Sequence, residues 1–486
     1  MYLDSMLENL EYTCLQGDAH TLVTDLVYDS RKVDKGSVFV CIMGTVTDGH
    51  DYIPEVIGKG AAAIIIEKDI ELPKDVIVIR VDNARKALAF MSAAYFGHPA
   101  SKLTTIGITG TKGKTTSAYM VKSILENTGI KTGLIGTIET IIGDEVIPAN
   151  NTTPESYVIQ QTFAKMVDAG VQCVVMEASS QGLLHYRIDG FVFDFGVFTN
   201  LGYDHIGDKE HKDFDDYLRC KRQLFRQCKT GLINIDDKYA KDILEGHTCK
   251  VETFGFSEDA DIRAANVKLV HEPGYLGVSY KVEGLMNFDV AIDIPGKFNV
   301  LNSLCAIAIC RHFDVNEKDI IEALSDIKVR GRVELVPVNG NFSVMIDYAH
   351  NAMSLESLLT TIKEYNPKRL VCVFGCGGNR SKDRRYLMGE ISSNMADFTV
   401  VTSDNPRFEE PEDIVNDIIT GVKKGSGKYI KITDRREAIK YCIDNAKKGD
   451  VIIIAGKGHE DYQEIKGVKY HMDDRELVRD ALRDRK

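Results

Sequence analysis

Short β-branched runs alternate with stretches of helical periodicity along most of the chain, the pattern of α/β units built around mainly parallel sheets. Residues 37–42, 61–66 and 76–81 read as strands, and residues 84–95 read as a helix that ends before Gly97-His98-Pro99. That glycine and proline cluster places a boundary near residue 100. A second zone opens with a strand at 103–109 and passes through a glycine loop into a helix. Met120, Val121, Ile124 and Leu125 form its apolar face, and Gly129 supplies its stop signal. Strands are expected at 171–176 and 193–198 and a helix at 299–312, with a boundary near residue 329. In the third zone the apolar runs 370–374, 398–402 and 451–455 each lead at once into a polar segment bearing glycine or proline, at 375–380, 404–407 and 456–460. Ligands collect outside the carboxyl ends of parallel strands, so these three loops could meet at one site.

Composition narrows this picture. A length of 486 residues fits three domains at roughly 100–200 residues each, divided here as 1–100, 101–329 and 330–486. With 44% hydrophobic and 27% charged residues the chain has the ordinary globular mixture, which disfavours disordered and low-complexity architectures. Lys and Arg total 60 against 72 Asp and Glu, and the net charge of −12 argues against a nucleic-acid partner. No uncharged apolar run nears the ~18 residues that cross a bilayer, and residues 1–10 carry acids in place of a basic, greasy leader. The expectation is a cytoplasmic protein without membrane insertion. Eleven scattered cysteines, with no CxxC pair, read as reduced thiols. The sequence says nothing of oligomeric state.

The most informative segment is Gly110-Thr111-Lys112-Gly113-Lys114-Thr115-Thr116, between a strand and a helix. Glycines let backbone amides wrap phosphate oxygens, the helix start adds positive potential, Lys114 can neutralise outer phosphates, and Thr115 can ligate magnesium. The common phosphate-loop pattern needs glycine where this chain has Ile108, so the loop is a shorter variant. It argues for ATP or GTP. Glu177, directly after the 171–176 run, is placed to hold magnesium beside that loop. His205 is a weaker metal candidate, since a lone loop histidine is more often surface or packing.

With Asp29-Ser30-Arg31, the phosphate loop, Asn151-Thr152-Thr153-Pro154, Glu177-Ala178-Ser179-Ser180, Cys220-Lys221-Arg222, Asp347-Tyr348-Ala349-His350, Asp404-Asn405-Pro406-Arg407 and Gly456-Lys457-Gly458-His459-Glu460 in view, the chain resembles the Mur ligases nearly end to end. These are ATP-dependent amide-forming enzymes of peptidoglycan precursor synthesis. The resemblance implies an N-terminal uridine-nucleotide domain, a central ATPase and a C-terminal Rossmann-like domain that admits the amine. Among members, the C-terminal motifs resemble those of enzymes that join meso-diaminopimelate to UDP-N-acetylmuramoyl-L-alanyl-D-glutamate.

By resemblance, ATP and Mg²⁺ sit with Lys114, Thr115, Glu177 and His205. Lys221, which alone would read as a solvated lysine, is expected to carry carbon dioxide as a carbamate that holds a second magnesium ion. Ser30 and, more loosely, His50 fall to the uridine site; Asn151, Thr152, Thr153, Ser179, His185 and Arg187 fall along the muramoyl dipeptide; Asn299, Asn302, Arg332 and Asp347 fall to the ATP base and ribose. The family has glutamine where this chain has His185 and proline where it has Ala352. Arg380, Asp404, Asn405, Pro406, Arg407, Gly456 and Glu460 are expected around the amino acid.

The distal carboxylate that distinguishes meso-diaminopimelate from lysine suits Arg407, whose planar guanidinium can take it with two hydrogen bonds. Glu460 is expected to take the distal ammonium. Lysine would then leave Arg407 without its partner. Alternatives are the same ligase acting on lysine or another diamino acid, a folylpolyglutamate synthetase, which lacks the N-terminal domain, and a nucleotide-dependent switch or binding module.

Overall fold

The computed structural model describes residues 1–44, 47–70, 72–207, 210–272, 274–338 and 340–485. The chain divides into two compact units, Met1–Ile262 with Leu304–Asn316, and Arg263–Ser303 with Glu317–Lys486.

The first unit carries two sheets. Strands β1 (Thr13–Gln16), β2 (Leu26–Val27), β3 (Val38–Val40), β4 (Ala63–Ile66) and β5 (Ile77–Arg80) lie in the order β1-β5-β4-β3-β2. All neighbours are parallel except the edge pair β1 and β5. The unbroken apolar run of β4 follows from burial on both faces: Ala63 and Ile65 join the core under helix Ala84–Tyr95, while Ile64 and Ile66 join a second core with Val56 of helix Ile53–Gly58. Asn83 starts the first of these helices by accepting the Lys86 N–H at 2.8 Å. Its Leu88 and Met91 are fully buried, each worth about 1.5–3 kcal/mol.

The second sheet comprises β6 (Thr104–Thr109), β7 (Thr132–Ile135), β8 (Glu139–Ile142), β9 (Glu145–Pro148), β10 (Cys173–Glu177), β11 (Phe193–Phe198), β12 (Cys228–Asn234) and β13 (Lys250–Gly255). Their order in this unit is β13-β12-β11-β6-β10-β7-β8-β9. The six strands from β13 to β7 run parallel, and β8 and β9 form an antiparallel edge. Strand β6 is central. The chain leaves it toward β7 on one side and later fills β11 on the other, so the loop after β6 sits where the winding reverses, the ligand crevice of open α/β sheets. Helix Lys114–Asn127 buries Met120, Val121, Ile124 and Leu125, and Gly129 closes it with its N–H on Glu126 O at 2.9 Å.

In the second unit β15 (Tyr275–Gly284), which follows β14 (Ile262–Glu272), pairs antiparallel with β16 (Phe288–Ile292). A further sheet contains β17 (Glu334–Val336), β18 (Ser343–Asp347), β19 (Arg369–Phe374), β20 (Phe398–Val401), β21 (Lys428–Lys431) and β22 (Asp450–Ala455), in the order β17-β18-β22-β19-β20-β21. Only β17 runs antiparallel. A hairpin of β23 (Tyr462–Ile465) and β24 (Val468–His471) completes the unit's strands.

The α/β expectation holds. The helix expected at 299–312 spans Lys297–Cys310, and the expected strands appear within one or two residues of their limits. None of the eleven cysteines is disulfide-bonded. Among the described residues no helix is long and apolar enough to cross a membrane.

Candidate active site

The phosphate loop is held in shape by its own glycines and by the end of β11. Gly113 opens the helix at φ +88°, and Gly110 sits where an added Cβ would lie 1.9 Å from Thr199 Oγ1. Thr199 and Asn200, at the end of β11, hold the loop: Thr111 N donates to Asn200 O at 2.8 Å and Lys112 N to Asn200 Oδ1 at 2.9 Å. Lys112 O accepts from Thr199 Oγ1 and Asn200 Nδ2 at 2.8 and 2.9 Å.

Glu177 ends β10 directly beside Ile108 of β6. Parallel register therefore delivers its carboxylate to the loop: Thr115 Oγ1 lies 3.0 Å from both oxygens, and Thr137 donates N–H at 2.8 Å and Oγ1 at 3.0 Å. A buried carboxylate beside a threonine hydroxyl at a helix start is an all-oxygen donor set, the kind that suits magnesium.

Two lysines converge on one carbonyl. Lys114 Nζ and Lys221 Nζ each donate to Gly110 O at 2.9 Å. Lys221 leaves helix Phe214–Arg222 and is 1% exposed, so the solvated face expected from its neighbours is overturned: the helix turns this residue inward over the Tyr217 ring, 4.6 Å away. Burial, then the Lys114 charge, holds its amine well below the ordinary lysine range. Among the described residues it has no carboxylate within ion-pair distance.

Tyr217 ties the cluster together, with its hydroxyl 3.0 Å from Thr111 Oγ1 and its ring centroid 6.1 Å from that of His205. His205 is exposed and faces Glu210 at 3.0 Å. His211, Asp216 and Cys220 bring donor atoms within 4.8 Å of one another behind it. His211 Nδ1 faces Asp216 Oδ2 at 3.0 Å and Arg219 takes the other oxygen, so these residues buttress the helix that carries Lys221.

Among the dipeptide candidates, Thr153, Ser179 and Arg187 are linked directly by hydrogen bonds. Thr153 Oγ1 donates to Glu177 O at 2.7 Å and lies 2.9 Å from Ser179 Oγ, which caps helix Ser180–Leu184. Arg187 donates to Thr153 O at 3.1 Å and pairs with Glu155 at 2.7 Å, while Thr152 Oγ1 lies 3.0 Å from Thr137 Oγ1. Asn151 is exposed. His185 Nε2 faces Gln181 at 3.1 Å, and burial lowers its pKa.

Ser30 starts a short turn capped by Asp29, whose carboxyl the Arg31 guanidinium holds at about 2. His50 is turned inward: Nε2 accepts the Glu67 N–H at 3.2 Å, so the proton sits on Nδ1 and faces Asp48 at 2.6 Å. Both ring nitrogens are thus engaged within the protein.

In the second unit Asn302 Nδ2 donates to Asn299 Oδ1 at 2.8 Å, and Asp347 accepts the Val333 and Ala349 N–H groups, each at 2.8 Å. Arg332 stacks 5.1 Å from the Tyr348 ring. His459 packs on that ring at 4.7 Å; burial, then Arg332, lowers its pKa to about 3.

The three loops of the last sheet do meet. Gly378 N donates to Asn405 O at 2.9 Å, and Asn405 Nδ2 donates to Glu460 Oε2 at 2.8 Å. Pro406 and Asp404 are buried, Gly456 N donates to Asp347 O at 3.1 Å, and Arg380 stands exposed. Glu460 already has a cation: Lys457 Nζ, fully buried, lies 3.4 Å from its carboxylate and also donates to Tyr462 O. Burial raises the Glu460 carboxyl.

Arg407 departs from the sequence expectation. Its side chain is 25% exposed and its Nε donates to Glu464 Oε2 at 3.2 Å, so it is not a bare charge awaiting a ligand. Glu464 lies on β23, a short hairpin strand that periodicity did not reveal.

A strand, glycine loop and helix at the switch point of a parallel sheet, facing a buried glutamate, define an α/β nucleotide-binding enzyme. Residues 23–96, 108–310 and 331–458 match, in turn, the family descriptions "Mur ligase family, catalytic domain", "Mur ligase middle domain" and "Mur ligase, glutamate ligase domain". A Clostridium perfringens protein named UDP-N-acetylmuramoyl-L-alanyl-D-glutamate--2,6-diaminopimelate ligase is 44% identical over 99% of both chains. A Caldanaerobacter subterraneus protein of that name is 42% identical, again over 99% of both. A solved structure of a ligase with that name shares 27% identity at a TM-score of 0.75, covering 100% of this chain and 99% of its own. The chain belongs to the Mur ligase family, and it is a ligase.

Proposed function

We propose that this protein joins meso-diaminopimelate to the D-glutamyl carboxylate of UDP-N-acetylmuramoyl-L-alanyl-D-glutamate at the expense of ATP, in cytoplasmic peptidoglycan precursor synthesis. The names of the Clostridium perfringens and Caldanaerobacter subterraneus relatives support the substrates. The observation that carries the chemistry is the convergence of Lys114 and Lys221 on the Gly110 carbonyl, in a loop whose Thr115 touches Glu177.

A carboxylate is a poor acyl donor until activated. In the proposed reaction its oxygen attacks the γ-phosphorus of ATP and ADP departs, leaving an acyl phosphate. The amine then attacks the acyl carbon, and the tetrahedral intermediate collapses with loss of phosphate and a proton. Phosphoryl transfer of this kind depends mainly on positioning and charge neutralisation. Lys114 would neutralise the outer phosphates, and backbone amides of the loop would hold them. The Thr115 hydroxyl and Glu177 carboxylate fit a magnesium ion, with His205 at the cluster's exposed side; the ion would supply charge neutralisation at the triphosphate.

Lys221 fits carbamylation. Carbon dioxide adds to an uncharged amine, and burial beside Lys114 holds this amine well below the ordinary lysine range; among the described residues it has no carboxylate partner. Adding CO₂ with loss of a proton would turn it into an anion between two cationic demands, the Lys114 ammonium and a second magnesium ion. Residues 1–100 would take the uridine end through Ser30, with His50 supporting the fold behind it. Residues 101–329 would carry phosphoryl transfer, and residues 330–486 the amino acid. Thr153, Ser179 and Arg187 would lie along the dipeptide, with Asn299, Asn302, Arg332 and Asp347 near the nucleotide's base and ribose.

The test is ADP release by the purified protein with magnesium, ATP and the muramoyl dipeptide nucleotide, comparing meso-diaminopimelate, L-lysine and no amine, with product mass measured in parallel. Turnover with diaminopimelate and the matching tripeptide mass is expected. Equal turnover with lysine overturns the amino-acid assignment, and amine-independent ATP hydrolysis favours a nucleotide switch.

A further inference from the structure

The hairpin β23–β24 is fastened to the 404–407 loop through Arg407. Arg407 N donates to Glu464 O at 3.0 Å, and Lys466 N donates to Arg407 O at 2.6 Å. Arg407 has φ +53°, a left-handed conformation that a non-glycine residue keeps only where its surroundings fix it. The side chain is fixed as well: Nε on Glu464 Oε2 at 3.2 Å, Nη1 on Gly378 O at 2.8 Å. Among the described residues these contacts leave Nη2 without a protein acceptor. Glu464 is itself held in register, since its N–H donates to Asn405 Oδ1 at 3.0 Å, the oxygen that also accepts from Lys457 at 3.2 Å. Asn405 therefore joins the hairpin, Glu460 and the Arg407 segment into one unit.

We propose that Glu464 is a positioning and specificity-determining residue for the amine substrate, fixing the Arg407 guanidinium through Nε so that Nη2 is presented to an incoming carboxylate. This rests on reading the site as that of a diamino-acid ligase. A guanidinium carries five donors in one plane and can serve two anions on different edges. Glu464 gives Arg407 a constant partner, so a substrate lacking the distal carboxylate leaves no bare cation behind. The same negative charge weakens the hold on a second carboxylate. Glu464 thus sets both the aim of Arg407 and the strength with which it discriminates.

The two effects separate in two variants of the full chain, assayed for initial rates with ATP, the muramoyl dipeptide nucleotide and either meso-diaminopimelate or L-lysine. Glu464→Gln keeps an oxygen for Nε and removes the competing charge. KM for diaminopimelate is expected to fall roughly threefold, and the diaminopimelate-to-lysine ratio of kcat/KM to rise roughly tenfold. Glu464→Ala removes the acceptor too, and KM for diaminopimelate is expected to rise roughly tenfold. In both variants KM for ATP stays within about twofold, which a merely unfolded or loosened domain would not allow.

Diaminopimelate-dependent turnover by the unaltered protein, with its KM unmoved in both variants, overturns this inference alone. An equal rise of both the ATP and amine KM values in the two variants also overturns it. An unaltered protein inactive with every amine overturns the ligase reading and this inference together.

Discussion

At the phosphate loop two lysine amines reach one carbonyl, and among the described residues buried Lys221 has no carboxylate within ion-pair distance. At the loops of the last sheet, the buried cations already have their anions: Lys457 with Glu460, Arg435 with Asp474, and Arg385 with Glu409 and Asp417. Beyond the Glu177 carboxylate, the first region draws its negative charge from whatever binds, as a site for a triphosphate should. The second is balanced before a ligand arrives, so an entering zwitterion exchanges partners more than it neutralises charge. Unbalanced charge serves affinity for an anion; balanced charge serves choice between similar amines.

The comparison breaks most visibly at Lys221. Lys221→Ala is expected to lower kcat roughly 10³-fold if the carbamate neutralises phosphoryl-transfer charge, read in the ADP-release assay. Full activity without added bicarbonate or acetate would remove Lys221 from the mechanism. The balanced region should respond in stability instead: Arg435 and Asp474 are both fully buried, and Asp474→Ala, which strands the arginine, should cost about 3–5 kcal/mol in denaturant unfolding. A loss under ~1 kcal/mol would mean that water reaches the guanidinium.

Arg407→Ala is expected to lower the diaminopimelate-to-lysine preference by roughly 10- to 100-fold, a moderate figure because Glu464 already satisfies part of this arginine. An unchanged preference would place the carboxylate elsewhere.

The smallest effect tests a desolvated charge away from the loop. Asp189 is half-buried, and burial, opposed by the Lys86 charge, raises its pKa to about 6. The folded chain holds this proton more tightly than the unfolded one, so its stabilising contribution is complete below pH 3.8 and is lost as pH rises through about 6. Asp189→Asn should therefore stabilise the protein by on the order of 2 kcal/mol at pH 7. The gain should vanish near pH 4. A pH-independent difference would trace to packing.

Much of this arrangement is legible in the sequence because it is local. The strand, loop and helix around Gly110–Thr116 announce themselves through a glycine pattern and an apolar helix face, and the three polar loops after apolar runs do meet, since parallel strands end on one edge. What escapes is whatever depends on distant segments. Tyr217 and Asn200 reach the phosphate loop across roughly a hundred residues, so spacing carries no trace of them. Lys221 is buried by the direction its helix faces, which the charged neighbours Arg219 and Arg222 disguise. Edge strands such as β1 and β9 have exposed residues and no apolar period to betray them. Glu464 reads as one more acid in a polar hairpin until Arg407 is seen against it.

The four hydrogen bonds between the phosphate loop and Thr199 and Asn200 have a kinetic consequence. A loop fixed by the protein's own hydrogen bonds has little conformational searching left when a nucleotide arrives, so encounter should lead to capture without a slow ordering step. Slow hydrogen exchange of the Thr111 and Lys112 amides in the nucleotide-free protein would be the sign of it.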